Sequence, residues 1–175
     1  GIEQAANAIR SGQSRCALVL GPEITSGHLE WRDRDCHFIF GDVATAVVVE
    51  GEPSGRQKCL WEILGSRATT SFSNNIRNNS GFLDRCEVGG RTDKRDKLFM
   101  QEGRKVFKEV CPMAAEHITS HLADHGLKPA DVRRFWLHQA NLSMNQFITR
   151  RLLDRDATLD EAPVVLDKYA NTASA

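Results

Sequence analysis

Phe135-Trp136-Leu137-His138-Gln139-Ala140-Asn141-Leu142 is the stretch that decides the fold. Three apolar residues run straight into a histidine, and residues 142–153 resume with apolar positions at helical spacing. A short apolar strand, a turn and an amphipathic helix are the repeating grammar of an α/β protein. The same grammar stands at the start of the chain. Ile2, Ala5, Ala6 and Ile9 share one helical face, and Ser11-Gly12 stops that helix with Arg10 in its last turn. Residues 16–20 are a continuous apolar run ending at Gly21, which predicts a buried strand. After Phe38-Ile39-Phe40 and the turn signal Gly41-Asp42, the β-branched run 43–50 predicts a central strand buried on both faces.

Farther along, residues 51–57 read as a loop and residues 60–64 as a strand continuing toward Phe72. From 71 to 96 the composition shifts to Asn, Ser, Gly, Arg and Asp, which marks a linker or a long surface excursion. The longest helical signal spans 99–125. Val106, Val110, Ala114, Ile118 and Leu122 recur every fourth residue with Phe107 and Met113 beside them, and Gly126 is placed to end the helix. Pro129 opens a short helical turn, and residues 163–166 read as a last strand before Asp167-Lys168-Tyr169-Ala170-Asn171-Thr172.

The composition narrows the function classes. Lys plus Arg is 23 and Asp plus Glu is 23, so the net charge is zero and the basic surplus of a polyanion binder is absent. Arg133-Arg134-Phe135-Trp136 is the one basic-aromatic candidate for nucleic acid, and its aromatics suit a core. The longest apolar runs have strand length, far short of the roughly 18 residues that cross a bilayer. Cys16, Cys36, Cys59, Cys86 and Cys111 form no Cys-x-x-Cys, and scattered thiols predict a reducing, cytoplasmic setting. Each reads as a small buried hydrophobe or a passive surface thiol. Gly1 and the small residues before Ala175 suggest a fragment of a longer protein.

Two strand ends carry the candidate chemistry. Ligands of α/β sheets gather at the carboxyl ends of strands. His138 stands at one such end, either presenting a ring nitrogen to a substrate or satisfied by nearby backbone. Asn171 stands at another, between small residues that allow close approach, or else as a plain turn asparagine. Together they could both donate to one oxygen, the arrangement that stabilises an oxyanion or enolate. His117, His121 and His125 recur every fourth residue as a possible metal pair, but no Cys or carboxylate completes a recognised set, and no metal site is assigned. No Gly-x-Ser-x-Gly elbow or phosphate-binding glycine loop is present.

His138-Gln139-Ala140-Asn141 followed by Asn171-Thr172-Ala173-Ser174-Ala175 resembles the thiolase-fold condensing enzymes, and most of all the β-ketoacyl-acyl-carrier-protein synthase III family. Phe40-Gly41-Asp42 before an apolar strand and Gly103-x-x-x-Phe107 at the head of the long helix extend the resemblance. It covers nearly the whole chain, with 51–99 the least matched. Within the family the chain looks most like the synthases primed by medium-chain acyl-CoA that make β-ketodecanoyl-carrier protein.

The resemblance implies an α/β, thiolase-like layered αβαβα architecture, of which this chain is a C-terminal portion. Residues 1–50 would end the first half, and 51–175 would form most of the second, with an excursion around 71–98. It implies an acyltransferase of fatty acid synthesis with a Cys-His-Asn triad. The Cys takes an acyl group from acyl-CoA, and the His and Asn hold the malonyl thioester oxygen of malonyl-acyl-carrier protein while carbon dioxide leaves. His138 and Asn171 match those two catalytic partners. Arg34 matches an arginine against the CoA adenine, and Gly103, Phe107, Ala140 and Asn141 match the walls of the CoA and pantetheine tunnel. The implied partners are acyl-CoA, malonyl-acyl-carrier protein and a second copy of the chain, with no cofactor, nucleic acid or membrane.

Three departures accompany the resemblance. The family's nucleophilic Cys would lie a few residues before Gly1, and none of the five cysteines holds that position. A glycine-rich continuation of Phe-Gly-Asp is replaced by Val43-Ala44-Thr45-Ala46, whose branched residues restrict the strand start. The arginine that commonly follows His-Gln-Ala-Asn-Leu, and helps dock the carrier protein, is Ser143, with Arg150 and Arg151 as nearby substitutes or a solvated helix face. Alternative functions are another acyl-thioester transferase of the hydroxymethylglutaryl-CoA-synthase type and a non-catalytic acyl-CoA or carrier-protein binding module.

Overall fold

The structure is a computed structural model, and it describes residues 1–52, 55, 61–77 and 98–175. By internal contacts the chain divides into two units. One comprises Gly1–Glu23, Val43–Ser71 and Ala175, the other Ile24–Asp42 and Phe72–Ser174.

In the first unit, helix α1 (Ile2–Arg10) precedes strands β1 (Cys16–Glu23) and β2 (Val43–Glu50). Ala5 and Ala6 are the buried side chains of α1, as its apolar stripe predicts. Gly12 ends the turn after it at φ 76°, a conformation that suits glycine. The strands pair antiparallel with Leu18 opposite Val48 and Leu20 opposite Ala46. Opposed residues share a face, so Ala17, Val19 and Val49 line one side and Leu18, Leu20 and Val48 the other.

Several expectations are corrected here. β1 runs on through Pro22 and Glu23, past the apolar run 16–20 from which it is predicted. The strand 43–50 exists, and Val43 starts it in regular register with Glu23 despite the missing glycines. Among the described residues it pairs with β1 alone, and Val47 and Val48 are exposed, so it is not a central strand buried on both faces. Residues 61–71 form no regular structure. Trp61 and Leu64 are exposed, and Arg10 donates to the Ile63 carbonyl at 3.2 Å. Leu60, like Cys59, Cys86 and most of the excursion expected at 71–98, lies outside the described residues.

The second unit is built on two helices. A two-residue ribbon of β3 (Ile76–Arg77) and β4 (Met100–Gln101) leads into α2 (Gly103–Asp124). α2 packs on α3 (Leu142–Leu153). Their core holds Cys111, Ala115, Phe135, Met144, Ile148 and Leu152, with Phe107, Val110, Ala114 and Ile118 against it. The buried centre of α2 is thus Cys111 and Ala115, one position past the Val110–Ala114 stripe read from the sequence. A stripe drawn every four residues drifts off a 3.6-residue helix, and small side chains at 111 and 115 let α3 come close. The C-terminus of α2 is as the sequence predicts. Gly126 sits at φ 70°, and Leu127 N–H returns to the Leu122 carbonyl at 2.9 Å.

The segment 135–137 is not a strand, and neither is 163–165. The two segments do run against each other. Phe135 N–H donates to the Glu161 carbonyl at 2.8 Å, and farther on the Gln139 side chain takes over. Its Nε2 donates to the carbonyls of Leu137 (3.0 Å) and Pro163 (3.3 Å), and its Oε1 accepts from Val165 N–H at 3.1 Å. Pro163 has no N–H to offer a ladder. A side chain therefore makes the bonds that strand pairing would have made. Residue 166, expected in that strand, begins the short helix α4 (Leu166–Tyr169).

Candidate functional site

The 170–173 turn holds two alanines at positive φ. Ala170 has φ 57° and ψ −155°, and Ala173 has φ 56°. Both values are costly for a residue with a Cβ, the first more so, and such strain collects at functional sites. Asn171 lies between them, buried, with Thr172 beside it. Its backbone makes a parallel bridge with Phe40. Asn171 N–H donates to the Ile39 carbonyl, and Gly41 N–H donates to the Asn171 carbonyl, both at 2.9 Å. The side-chain Oδ1 accepts from Ala173 N–H at 3.0 Å. The carboxamide is therefore oriented by the turn's own backbone, with its Oδ1 end fixed.

His138 meets the same turn. Burial lowers its pKa below the ordinary 6.5, and a hydrogen bond to the Ala173 backbone opposes that shift. By its surface area the residue is exposed. Burial thus disfavours the charged imidazole, which meets the backbone of Ala173, two residues from Asn171. The exposed His138 and the buried Asn171 thus meet at the 170–173 turn.

The other predicted residues fall in different settings. Asn141 is the N-cap of α3, its Oδ1 accepting from Met144 N–H at 2.9 Å. Ala140 closes a tight turn, its N–H donating to the His138 carbonyl at 2.9 Å. Gly103 is the first residue of α2, and Phe107 lies one turn on, stacked edge-on against Phe147 at 5.5 Å. Arg34 is exposed on the turn between Asp33 and His37. The histidines 117, 121 and 125 do not gather a metal set. Among the described residues no group of three or more His, Cys, Asp or Glu could hold an ion. His121 and His125 instead meet edge-to-face at 5.0 Å.

Of the described cysteines, Cys36 and Cys111 are fully buried, and burial pushes the Cys111 thiol up, away from a thiolate. Cys16 is exposed, with Sγ 4.0 Å from Glu50 Oε1.

Gln139 and Gly41 lie within motifs that the sequence singles out, but neither they nor Thr25 are given a role in the site there. Gln139 sits inside the His-Gln-Ala-Asn motif and straps His138's segment to 163–165. Its signal was an amide next to a candidate catalytic histidine. Thr25 left no signal, since a threonine in a polar stretch reads as loop.

The profile of 3-oxoacyl-[acyl-carrier-protein] synthase III matches residues 1–69, and that of the same synthase's C-terminal region matches residues 122–175. Together they take in well over half of the sequence. The chain belongs to the 3-oxoacyl-acyl-carrier-protein synthase III family. It is 59% identical over 175 residues to the β-ketodecanoyl-[acyl-carrier-protein] synthase of Pseudomonas aeruginosa, matching all of this chain and 50% of that protein. To the β-ketoacyl-[acyl-carrier-protein] synthase III of Rhodospirillum centenum it is 33% identical over 173 residues, 97% of this chain and 49% of that one. The gap between these two figures agrees with the medium-chain branch expected from the sequence.

Solved synthases of the family share the fold. The Thermus thermophilus enzyme superposes with a TM-score of 0.73 at 26% identity, covering 99% of this chain and 51% of its own. For the Aquifex aeolicus enzyme the TM-score is 0.72 at 27% identity, with 99% and 50% covered. The α/β, thiolase-like class predicted from the sequence is thus the observed one. The chain spans about half the length of the curated relatives it matches. No helix among the described residues is long and apolar enough to cross a membrane.

Proposed function

We propose that the protein containing this chain catalyses decarboxylative Claisen condensation of a medium-chain acyl-CoA primer with malonyl-acyl-carrier protein, in fatty acid synthesis in the cytoplasm. The observation that carries the reading is that His138 meets, at Ala173, the strained and backbone-clamped turn that holds Asn171. The likeness to a β-ketodecanoyl synthase supports the primer class.

In this mechanism a cysteine thiolate, not assigned to Cys16, Cys36 or Cys111, attacks the acyl-CoA carbonyl and releases CoA thiolate. Malonyl-carrier protein then loses carbon dioxide, and the electron pair of the breaking C–C bond forms an enolate on the thioester. His138 and Asn171 donate to that enolate oxygen. Fixed donors in a dry site hold developing charge without reorganising, which is where such groups do most for the rate. The enolate carbon attacks the acyl-cysteine carbonyl, the C–S bond breaks, and the cysteine leaves as thiolate. Burial favours the uncharged His138 ring, whose one N–H is the proposed donor to the enolate oxygen when the Ala173 backbone does not hold it. Arg34, Gly103, Phe107, Ala140 and Asn141 are proposed to bind the CoA and pantetheine arm. The working protein is proposed to be a homodimer.

The test uses full-length protein with His138→Ala or Asn171→Ala. Each is expected to slow condensation about 10²- to 10³-fold, while acyl transfer from acyl-CoA, followed as an intact-mass shift, continues. Condensation at the parental rate in both variants would defeat the reading.

A further inference from the structure

Asn171 does not hold its conformation alone. Its two backbone groups are both engaged by the 39–41 segment, Asn171 N–H by the Ile39 carbonyl and the Asn171 carbonyl by Gly41 N–H. The approach is so close that a Cβ added at Gly41 would land on the Tyr169 carbonyl oxygen, with the Ala170 methyl in contact at 3.5 Å. Only glycine admits that contact.

Gly41 is pinned from behind. Thr25 Oγ1 donates to the Gly41 carbonyl at 2.7 Å and lies 3.2 Å from Asp42 Oδ1. The Asp42 carboxylate accepts from Ser26 N–H at 2.8 Å and from Ser26 Oγ at 2.5 Å. The Ser26 hydroxyl, then the Ser26 amide, hold that carboxyl below its ordinary range, so it stays a charged acceptor. A continuous set of hydrogen bonds therefore runs from Ser26 and Asp42, through Thr25 and Gly41, to the backbone of Asn171. On its far side lies a turn with two alanines at positive φ, a conformation that persists only where surrounding contacts over-determine it.

We propose that Thr25 and Asp42 are positioning residues for Asn171, acting through the Gly41 backbone to fix where the Asn171 carboxamide presents its donors. The inference rests on the reading of Asn171 as an enolate donor. It assigns a role to the Phe-Gly-Asp motif. Glycine admits the close contact, and the aspartate secures the turn that carries Thr25. Neither residue touches substrate in this scheme. Their loss shifts a donor, and small displacements of aligned groups are costly to rate while leaving binding nearly intact.

Full-length protein carrying Thr25→Val, which keeps shape and removes the hydroxyl, is compared with Thr25→Ser, Asp42→Asn and Asn171→Ala. Condensation and acylation by acyl-CoA are followed separately. Thr25→Val is expected to lower the condensation kcat about 10- to 100-fold, with KM for acyl-CoA and the acylation rate unchanged within about twofold. Thr25→Ser should restore most of the loss. Asp42→Asn should reproduce it in part, and serves as the readout should Thr25→Val fail to fold. Thr25→Val and Asp42→Asn at the parental rate beside a slow Asn171→Ala would overturn the positioning role alone. So would equal loss of both half-reactions, or no rescue by serine. An Asn171→Ala protein that condenses normally removes the functional reading itself and this proposal with it.

Discussion

The α2–α3 pair and the β1–β2 ribbon are both rich in apolar residues, yet they use them differently. The helices close a core between themselves. Phe135, Met144, Ile148 and Leu152 are each under a tenth exposed around Cys111 and Ala115. The ribbon buries little. Ala17, Val19 and Val49 are half-buried on one face, while Leu18, Leu20 and Val48 on the other are 61%, 64% and 58% exposed. A strand apolar on both faces is the pattern of a sheet covered on both sides. The lesson is that an apolar pattern states what a segment is suited to bury, and the partner decides whether it does. For the helices that partner is within the described residues.

Substitutions sharpen this contrast. Ile148→Ala in the 175-residue chain removes a filled position between α2 and α3, and is expected to cost about 2–5 kcal/mol in urea unfolding. A cost under about 1 kcal/mol would mean the helix pair is not the stabilising core.

A smaller effect concerns the loop that closes the helical unit. Arg155 hydrogen-bonds Glu161, and Thr158 N–H adds a second bond at 2.9 Å, which together lower the Glu161 pKa from 4.5 to about 2. A depressed carboxyl pKa means that the unfolded chain binds more protons in this window. The contribution is therefore complete above about pH 4.5, and is lost as pH falls through about 2. Its size is small because the pair is exposed. The urea midpoint of Glu161→Gln should show a flatter pH dependence between those values than the parent. Parallel curves would show that the ion pair does not hold the loop.

The smallest effect is expected in the ribbon. Leu18→Ser in the 175-residue chain should change stability by no more than about 0.5 kcal/mol, as an exposed substitution does. It should also reduce binding of an apolar dye. A loss matching Ile148→Ala would mean that the face is covered, and would erase the contrast between the two regions.

Legibility differed from element to element. α1, α2 and α3 were readable because their end signals are chemical. Gly12 and Gly126 take positive φ after α1 and α2, while for α3 it is the start that is marked, by the Asn141 side chain at its N-cap. Strands expected at 135–137 and 163–166 failed because an apolar run reports burial and not the backbone partner, which Gln139 largely replaced. His138 and Asn171 were legible as residue types at strand-like ends followed by small residues. Their shared turn was not, since it depends on a hydrogen bond between the His138 ring and the Ala173 backbone.

By itself, the sequence determined the α/β class, where α1 and α2 end and the identities of the two candidate donors, because periodicity, caps and side-chain chemistry are local properties. Only the tertiary structure decided which apolar faces are buried, and that Ile39 and Gly41, 130 or more positions away along the chain, clamp Asn171. Those outcomes depend on contacts between distant segments. No local pattern of residues encodes the close approach of one backbone to another.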